Sequence, residues 1–416
     1  MLDIQFIRDN PDVVAAKSQQ KGYQVDIPKL LEVDKDRRTV LQAVEQLRQE
    51  RNALADKLKG AAGKPDQADI DAGKQIKLAL AKKEDILRQY DEELEQYLAQ
   101  VPNVAADDVP LGGEEDSVEV KQWGGQSTGG QDHLDLAIEK GWVDFERGAK
   151  VAGAKFYFLQ GDLALLEQAL VQYGIDLVTK KGFGYMTVPH MVNTRTATGA
   201  GFAPKGSDEG NEYFVEGEDL TLIGTAEAPL TGYHADEVID QARLPLLYAG
   251  YSPCYRREAG TYGKHARGLF RVHQFNKLEM YAFTLPEASA EMHERIRDVE
   301  EEIWQTLGIP YRVVNIAAGD LGAPAAKKYD VEYWSPVDQK YRELTSCSNC
   351  TDYQARSLNI RVRRPDGSLE VLHTLNGTAV SLARTLIAVI ENYQTPEGDV
   401  TIPEALRPYM GGREKI

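Results

Sequence analysis

Cations, an aromatic ring and carboxylates crowd one stretch of the chain, YAGYSPCYRREAGTYGKHARGLFRVHQFNKLEMYAF, residues 248–283. A strand-like run ends at Arg256-Arg257-Glu258, and a basic, glycine-rich loop follows with Gly260, Gly263, Lys264, His265, Arg267 and Gly268. A second strand-like run carries Arg271, His273, Phe275, Lys277 and Glu279. Alternate residues of a strand share a face, so the spacing predicts these five side chains on one side. Such a face suits a ligand with phosphates, a flat base and an ammonium group. A half-buried hairpin with a polar outer face would show the same alternation. The chain has no GxxxxGK[ST] and no GxGxxG after a strand, so neither a Walker nor a Rossmann nucleotide site is supported. Cys347 and Cys350 form a CxxC pair, but zinc needs four ligands and Cys254 is the one other cysteine. A zinc site is therefore disfavoured.

The elements that must position these groups begin with a long helical segment. Leu30, Arg37, Val44, Arg51 and Leu58 are spaced by seven, and Val33, Val40, Leu47 and Leu54 follow the same period offset by three. Leu80, Leu87, Leu94 and Val101, with Ile76, Lys83, Tyr90 and Tyr97, repeat the pattern. These are the a and d positions of a coiled coil, with two arginines as polar exceptions. Gly60, Gly63 and Pro65 break the pattern and must turn the chain. An antiparallel two-helix arm of about 45 Å follows from about 30 residues per helix. Residues 102–132, with Pro102, Pro110 and three Gly-Gly pairs, read as a linker. Beyond it, helical segments (163–180, 287–307, 378–393) mix with strand-like runs (155–159, 185–188, 247–250, 269–284, 311–316, 359–363). That mixture favours an α+β body built on an antiparallel sheet flanked by helices.

Composition bounds the function. Of 416 residues, 42% are apolar and 27% charged, which excludes disorder and a disulfide scaffold. No window of about 18 apolar residues occurs, so no membrane span is expected. The opening MLDIQFIRDNPDVV lacks a basic n-region and does not resemble a signal peptide. Three cysteines suggest reduced thiols and a cytoplasmic location. A net charge of −17 argues against coating nucleic acid non-specifically. Residues 40–90 nonetheless hold ten Lys/Arg against eight Asp/Glu, so the arm is a locally basic projection from an acidic body. Its lysines are either a solvated face of a spacer or dimerisation coil, or contacts to phosphate.

Residues 248–283 resemble motif 2 of the class II aminoacyl-tRNA synthetases, and the RxE…GLFRVHQFxKxE form resembles the seryl-tRNA synthetases. GFGYMTVPHMVN (182–193) is similar to motif 1, with Pro189 at its proline, and TLIGTAEAP (221–229) to the serine loop of that family. YRELTSCSNCTDYQARS (341–357) resembles its ExxSCSN segment, TLNGTAVSLARTLIAVIENYQ (374–394) its motif 3, and PEALRPYM (403–410) its ending. The likeness is co-linear over essentially the whole chain.

The resemblance implies activation of L-serine with ATP and Mg²⁺ to seryl-adenylate, then transfer to tRNA(Ser), with tRNA(Sec) allowed. It implies domains at 1–101 (tRNA-binding, with the arm), 102–132 (linker) and 133–416 (catalytic). Arg256 and Arg384 would be the catalytic cations. Arg256, Arg257, Glu258, Phe275, Glu343, Leu344, Thr345, Ser346 and Arg384 would hold ATP, with Phe275 stacked on adenine. Glu343 and Ser346 would bind the metal. Thr225, Ala226, Glu227, Glu279 and Thr378 would hold serine. Lys57, Lys59, Lys64, Lys74 and Lys77 would meet the tRNA, and motif 1 would form a homodimer. His265 and His273 receive no proton-transfer role. Three departures stand out: Cys350 where an aromatic is usual, and Ala379 and Ser381 where Gly and Ala are frequent. The rivals are a ligase loading amino acids onto a carrier protein, disfavoured by residues 26–100, a synthetase for another amino acid, and a non-catalytic binding protein.

Overall fold

A computed structural model describes residues 1–60, 66–202, 211–258 and 268–416. The chain divides into two compact units, Leu2–Pro102 and Asn103–Ile416, the second including Met1.

The first unit is dominated by α1 (Ile27–Gly60) and α2 (Gln67–Gln100), each of 34 residues. Leu30, Val33 and Val44 of α1 and Leu80 and Leu94 of α2 are buried, all at positions of the heptad seam. Arg37 meets Asp91 at 2.5 Å, Arg48 meets Glu84 at 2.7 Å, and Lys57 meets Asp69 at 2.6 Å. One partner's number falls as the other's rises, so the helices run antiparallel. Arg37, a polar exception in the seam, reaches the partner helix through its pair with Asp91. Arg51, the other, is exposed. Asp66 caps α2 by accepting from the Asp69 amide at 2.7 Å. The turn residues 61–65 lie outside the described residues.

The second unit is built on an eight-stranded sheet. Its strands are β1 (Val118–Trp123), β2 (Gly184–Thr187), β3 (Leu246–Tyr255), β4 (Gln274–Thr284), β5 (Tyr311–Asn315), β6 (Lys327–Ser335), β7 (Lys340–Asn349) and β8 (His373–Ser381). They lie in the order β1-β5-β6-β7-β8-β4-β3-β2, antiparallel except for the β2–β3 pair. The longer helices packed against the sheet are α3 (Gly161–Lys180), α4 (Ser289–Thr306) and α5 (Leu382–Asn392). The apolar stripe of α4, Met292, Ile296, Val299 and Ile303, has helical spacing and is buried in this core. Gly377 of β8 lets α4 approach, since a Cβ there would sit 2.3 Å from Ile296. A second core, with Ala226, Leu230, Tyr281, Phe283 and Leu358, also draws on β4. Covered on both faces, β4 is buried continuously from Lys277 to Thr284, which is why LEMYAF lacks alternation.

Three sequence expectations change. Of the expected linker 102–132, all but Pro102 is part of the second unit: Asn103 and Val109 are buried, and β1 is a sheet strand paired with β5. Its glycines and prolines mark turns around that strand. The run expected from 269 becomes a strand at Gln274, because Gly268–Phe270 form a helical turn. The helix expected from 378 starts at Leu382, and residues 378–381 complete β8.

Candidate active site

Two β-bulges shape the site. Between β6 and β7, Val331 pairs with Thr345 and Glu332 with Glu343, so Leu344 is an extra residue. In a regular strand, residues three apart point to opposite faces. The extra residue puts Glu343 and Ser346 on the same side. Between β4 and β8, Leu278 pairs with Val380 and Glu279 with Thr378, so Ala379 is extra. The same geometry brings Thr378 and Ser381 together. Bulges recur beside functional sites because they re-aim side chains in this way.

All four of these side chains face one cavity of about 260 Å³. Arg256, Glu258, Phe270, Arg271, Phe275, Lys277, Lys328 and Arg384 also line it. Five cations thus face it with two carboxylates, Glu258 and Glu343, a surplus of positive charge that suits a polyanion. Arg256 lies over the Phe275 ring at 5.2 Å and donates from Nε to the Gly224 carbonyl at 3.3 Å. Arg384 lies over Phe270 at 5.0 Å and pairs with Glu343 Oε1 at 2.9 Å. Burial would raise the Glu343 carboxyl, but Arg384, Lys328 and Arg256 outweigh it and hold it well below the usual range. Lys328 pairs with Asp330 at 2.9 Å. Burial pushes Asp330 upward, Lys328 opposes that, and Glu343 adds to it.

Beside this cavity lies a buried polar cluster. Glu279 Oε2 takes Lys277 Nζ at 2.6 Å and the Thr378 hydroxyl at 3.2 Å. Glu227 opens the short helix Glu227–Gly232, and its Oε1 accepts from Gln354 Nε2 at 2.7 Å and Asn376 Nδ2 at 3.0 Å. Burial and the neighbouring Glu279 push Glu227 up to about 7, against the pull of Lys277, the Gln354 hydrogen bond and Arg256. The Thr225 hydroxyl accepts the Glu227 amide at 3.2 Å.

The residues singled out from sequence therefore fall into groups. Arg256, Glu258, Phe275, Glu343, Leu344, Thr345, Ser346, Thr378 and Arg384 share the cavity. Leu344 and Thr345 turn their side chains into the core, where the Thr345 hydroxyl donates to Glu300 at 2.9 Å, so they present main chain to the cavity. Thr225, Ala226, Glu227 and Glu279 lie next to it rather than on its lining. Arg257 is exposed and absent from the lining; its backbone amide donates to Asn211 at 2.7 Å. His273 precedes β4; its Nδ1 contacts the Arg256 carbonyl at 2.9 Å and its ring packs on Phe156, so the expected five-residue face does not form. Lys57, Lys59 and Lys74 are exposed but each has a carboxylate within 4 Å, and Lys77 is exposed. Lys64, like Lys264, His265 and Arg267, lies outside the described residues. Buried thiols at Cys347 and Cys350 are packing.

Sequence reasoning missed Lys328, Asp330, Ser381, Gln354 and Asn376. The alternation of Lys328 and Asp330 in KKYDVEYWS was the available signal for β6. No pattern marks the bulges.

Residues 213–393 match the tRNA synthetase class II core domain (G, H, P, S and T), and residues 1–105 match the seryl-tRNA synthetase N-terminal domain. The serine–tRNA ligase of Dictyoglomus turgidum is 45% identical over 423 residues, 99% of this chain and 98% of the relative. That of Rubrobacter xylanophilus is 43% identical over 424 residues, 100% of this chain and 99% of its own. The structure of seryl-tRNA synthetase from Pyrococcus horikoshii complexed with ATP superposes with a TM-score of 0.90 at 39% identity, covering 100% of this chain and 99% of that one.

Proposed function

The chain belongs to the seryl-tRNA synthetase family, and from that premise we propose how its cavity works. It is an ATP-dependent ligase that forms seryl-tRNA. Serine carboxylate attacks the α-phosphorus of ATP, pyrophosphate leaves, and the seryl group passes to the terminal adenosine of tRNA(Ser), with tRNA(Sec) as a second acceptor. Negative charge spreads over phosphate oxygens in the first step. Arg256 and Arg384, planar forks that remain charged, hold those oxygens more tightly in the transition state than in the ground state. The observation that carries this is that both guanidiniums, remote in sequence, line one cavity and act on the same Glu343.

Phe275 offers its ring to adenine once Arg256 moves from it to phosphate. Glu258, Arg257 and the main chain at Leu344 and Thr345 complete the nucleotide's surroundings. Glu343 and Ser346 offer hard oxygens on one side of a bulged strand, a donor set that fits Mg²⁺. The ion would neutralise the triphosphate. Glu279 and Glu227 take the serine ammonium, with Thr225, Ala226 and Thr378 around them. A hydroxyl that answers serine's own leaves an unpaired polar group when alanine binds, so alanine is rejected.

Residues 2–102 form the tRNA-binding domain and 103–416 the catalytic domain, active as a cytoplasmic homodimer through motif 1. Lys57, Lys59, Lys64, Lys74 and Lys77 serve the acceptor's phosphates. Among the described residues no helix is long and apolar enough to cross a membrane. Pyrophosphate exchange across all amino acids tests the assignment: serine alone should support it. Exchange driven by another amino acid, or by none, refutes it.

A further inference from the structure

Gln354 is fully buried on the short helix Tyr353–Ser357, and all of its amide is in use. Its Oε1 accepts from the Tyr281 hydroxyl at 2.9 Å and the Thr374 hydroxyl at 2.7 Å. Its Nε2 donates to the Ala200 carbonyl at 2.9 Å and to Glu227 Oε1 at 2.7 Å. One side chain therefore joins β4, β8, the end of helix Thr194–Gly199 and the serine loop. The amide can sit only this way round, because the reverse would set its oxygen against a carbonyl and a carboxylate. A buried network with every member satisfied is rigid.

The second amide on Glu227, from Asn376, falls on the same oxygen, Oε1. Among the described residues no hydrogen bond engages Oε2. We infer that Gln354 is a positioning residue for serine recognition: it pins one oxygen of Glu227 so that the other faces the ammonium group of the amino acid. Tyr281 and Thr374 fix the far end of the amide and so set the direction of its N–H. The inference rests on Glu227 being a serine contact, as proposed above. A hydrogen bond to the charged carboxylate also favours ionisation, against burial and Glu279. The charged groups acting on Glu227 are Glu279 and Lys277 of β4 and Arg256 beyond β3.

Steady-state exchange kinetics on the full chain test it. Gln354→Met should raise the serine KM about tenfold or more, the loss expected for one hydrogen bond to a charged group. The ATP KM should change by less than about twofold. The acid limb of kcat/KM for serine should move to higher pH, a displacement that general loosening of the fold would not produce. Unchanged serine KM and acid limb in Gln354→Met, while Glu227→Gln raises the serine KM, overturns the inference and leaves the serine role of Glu227 standing. A normal serine KM in Glu227→Gln removes both. Equal losses toward serine and ATP mark a structural role and also overturn it. If Gln354→Met does not fold, the double variant Tyr281→Phe, Thr374→Val frees the carbonyl end of the amide. It should then raise the serine KM several-fold while sparing that of ATP, and an unchanged serine KM overturns the inference.

Discussion

The helical arm and the catalytic sheet place their charges in opposite settings. The arm carries Arg48–Glu84 with both side chains about half exposed, 50% and 42%. The sheet carries Lys277–Glu279 with 9% and 2% exposure. At the Arg48–Glu84 pair, water screens both charges and either partner is replaceable. In the sheet, each charge is fixed by its neighbours and removing one strands another. A surface that must grip an extended polyanion can be built from interchangeable charges. A pocket that must stabilise one transition state cannot.

The largest contrast should come from removing the arm. Replacing residues 40–90 by a short loop should abolish tRNA charging yet leave serine-dependent exchange intact, as read in paired assays. If exchange fails while the body stays folded by circular dichroism, the division between the two regions is wrong. Within the sheet, Arg256→Ala or Arg384→Ala should each lower kcat/KM in exchange by about 10³-fold with little change in thermal stability. A loss under tenfold would place the catalytic charge elsewhere. A milder test uses pH. Glu227, raised to about 7, is protonated below that value and cannot pair with an ammonium group. The kcat/KM for serine should therefore fall about tenfold per pH unit below 7 and level off above it. Glu227→Gln should flatten that limb. The smallest effect belongs to the arm: Arg48→Gln should cost about 0.5 kcal/mol or less in denaturant unfolding. A larger cost would mean that this exposed pair behaves like the buried ones.

The two regions also differ in what their residues reveal before folding. A seven-residue period repeated through Leu30–Leu58 and Leu80–Val101 has one structural meaning, and the arm follows from it. Motif 2 was visible because Arg256 and Phe275 flank a turn in the chain. β6, β7 and β8, which carry Lys328, Glu343 and Thr378, were not recognised as strands. In β6, Tyr329, Val331 and Tyr333 alternate with Lys328, Asp330 and Glu332, a pattern that was there to be read, whereas the bulges at Leu344 and Ala379 break the alternation in β7 and β8. The bulges at Leu344 and Ala379 depend on pairing between distant segments, which no local pattern encodes. For the same reason the stretch 102–132 resembled a linker: Val118–Trp123 becomes a strand because β5 accepts it at the sheet edge.

The three cysteines also have a practical consequence. Cys254, Cys347 and Cys350 are each at 0% exposure. A thiol introduced on the arm's outer face, as by Gln49→Cys, would be the one accessible to maleimide in the native state among the described positions. Dyes attached there would test whether the arm engages tRNA, without first stripping the protein of its own sulfurs.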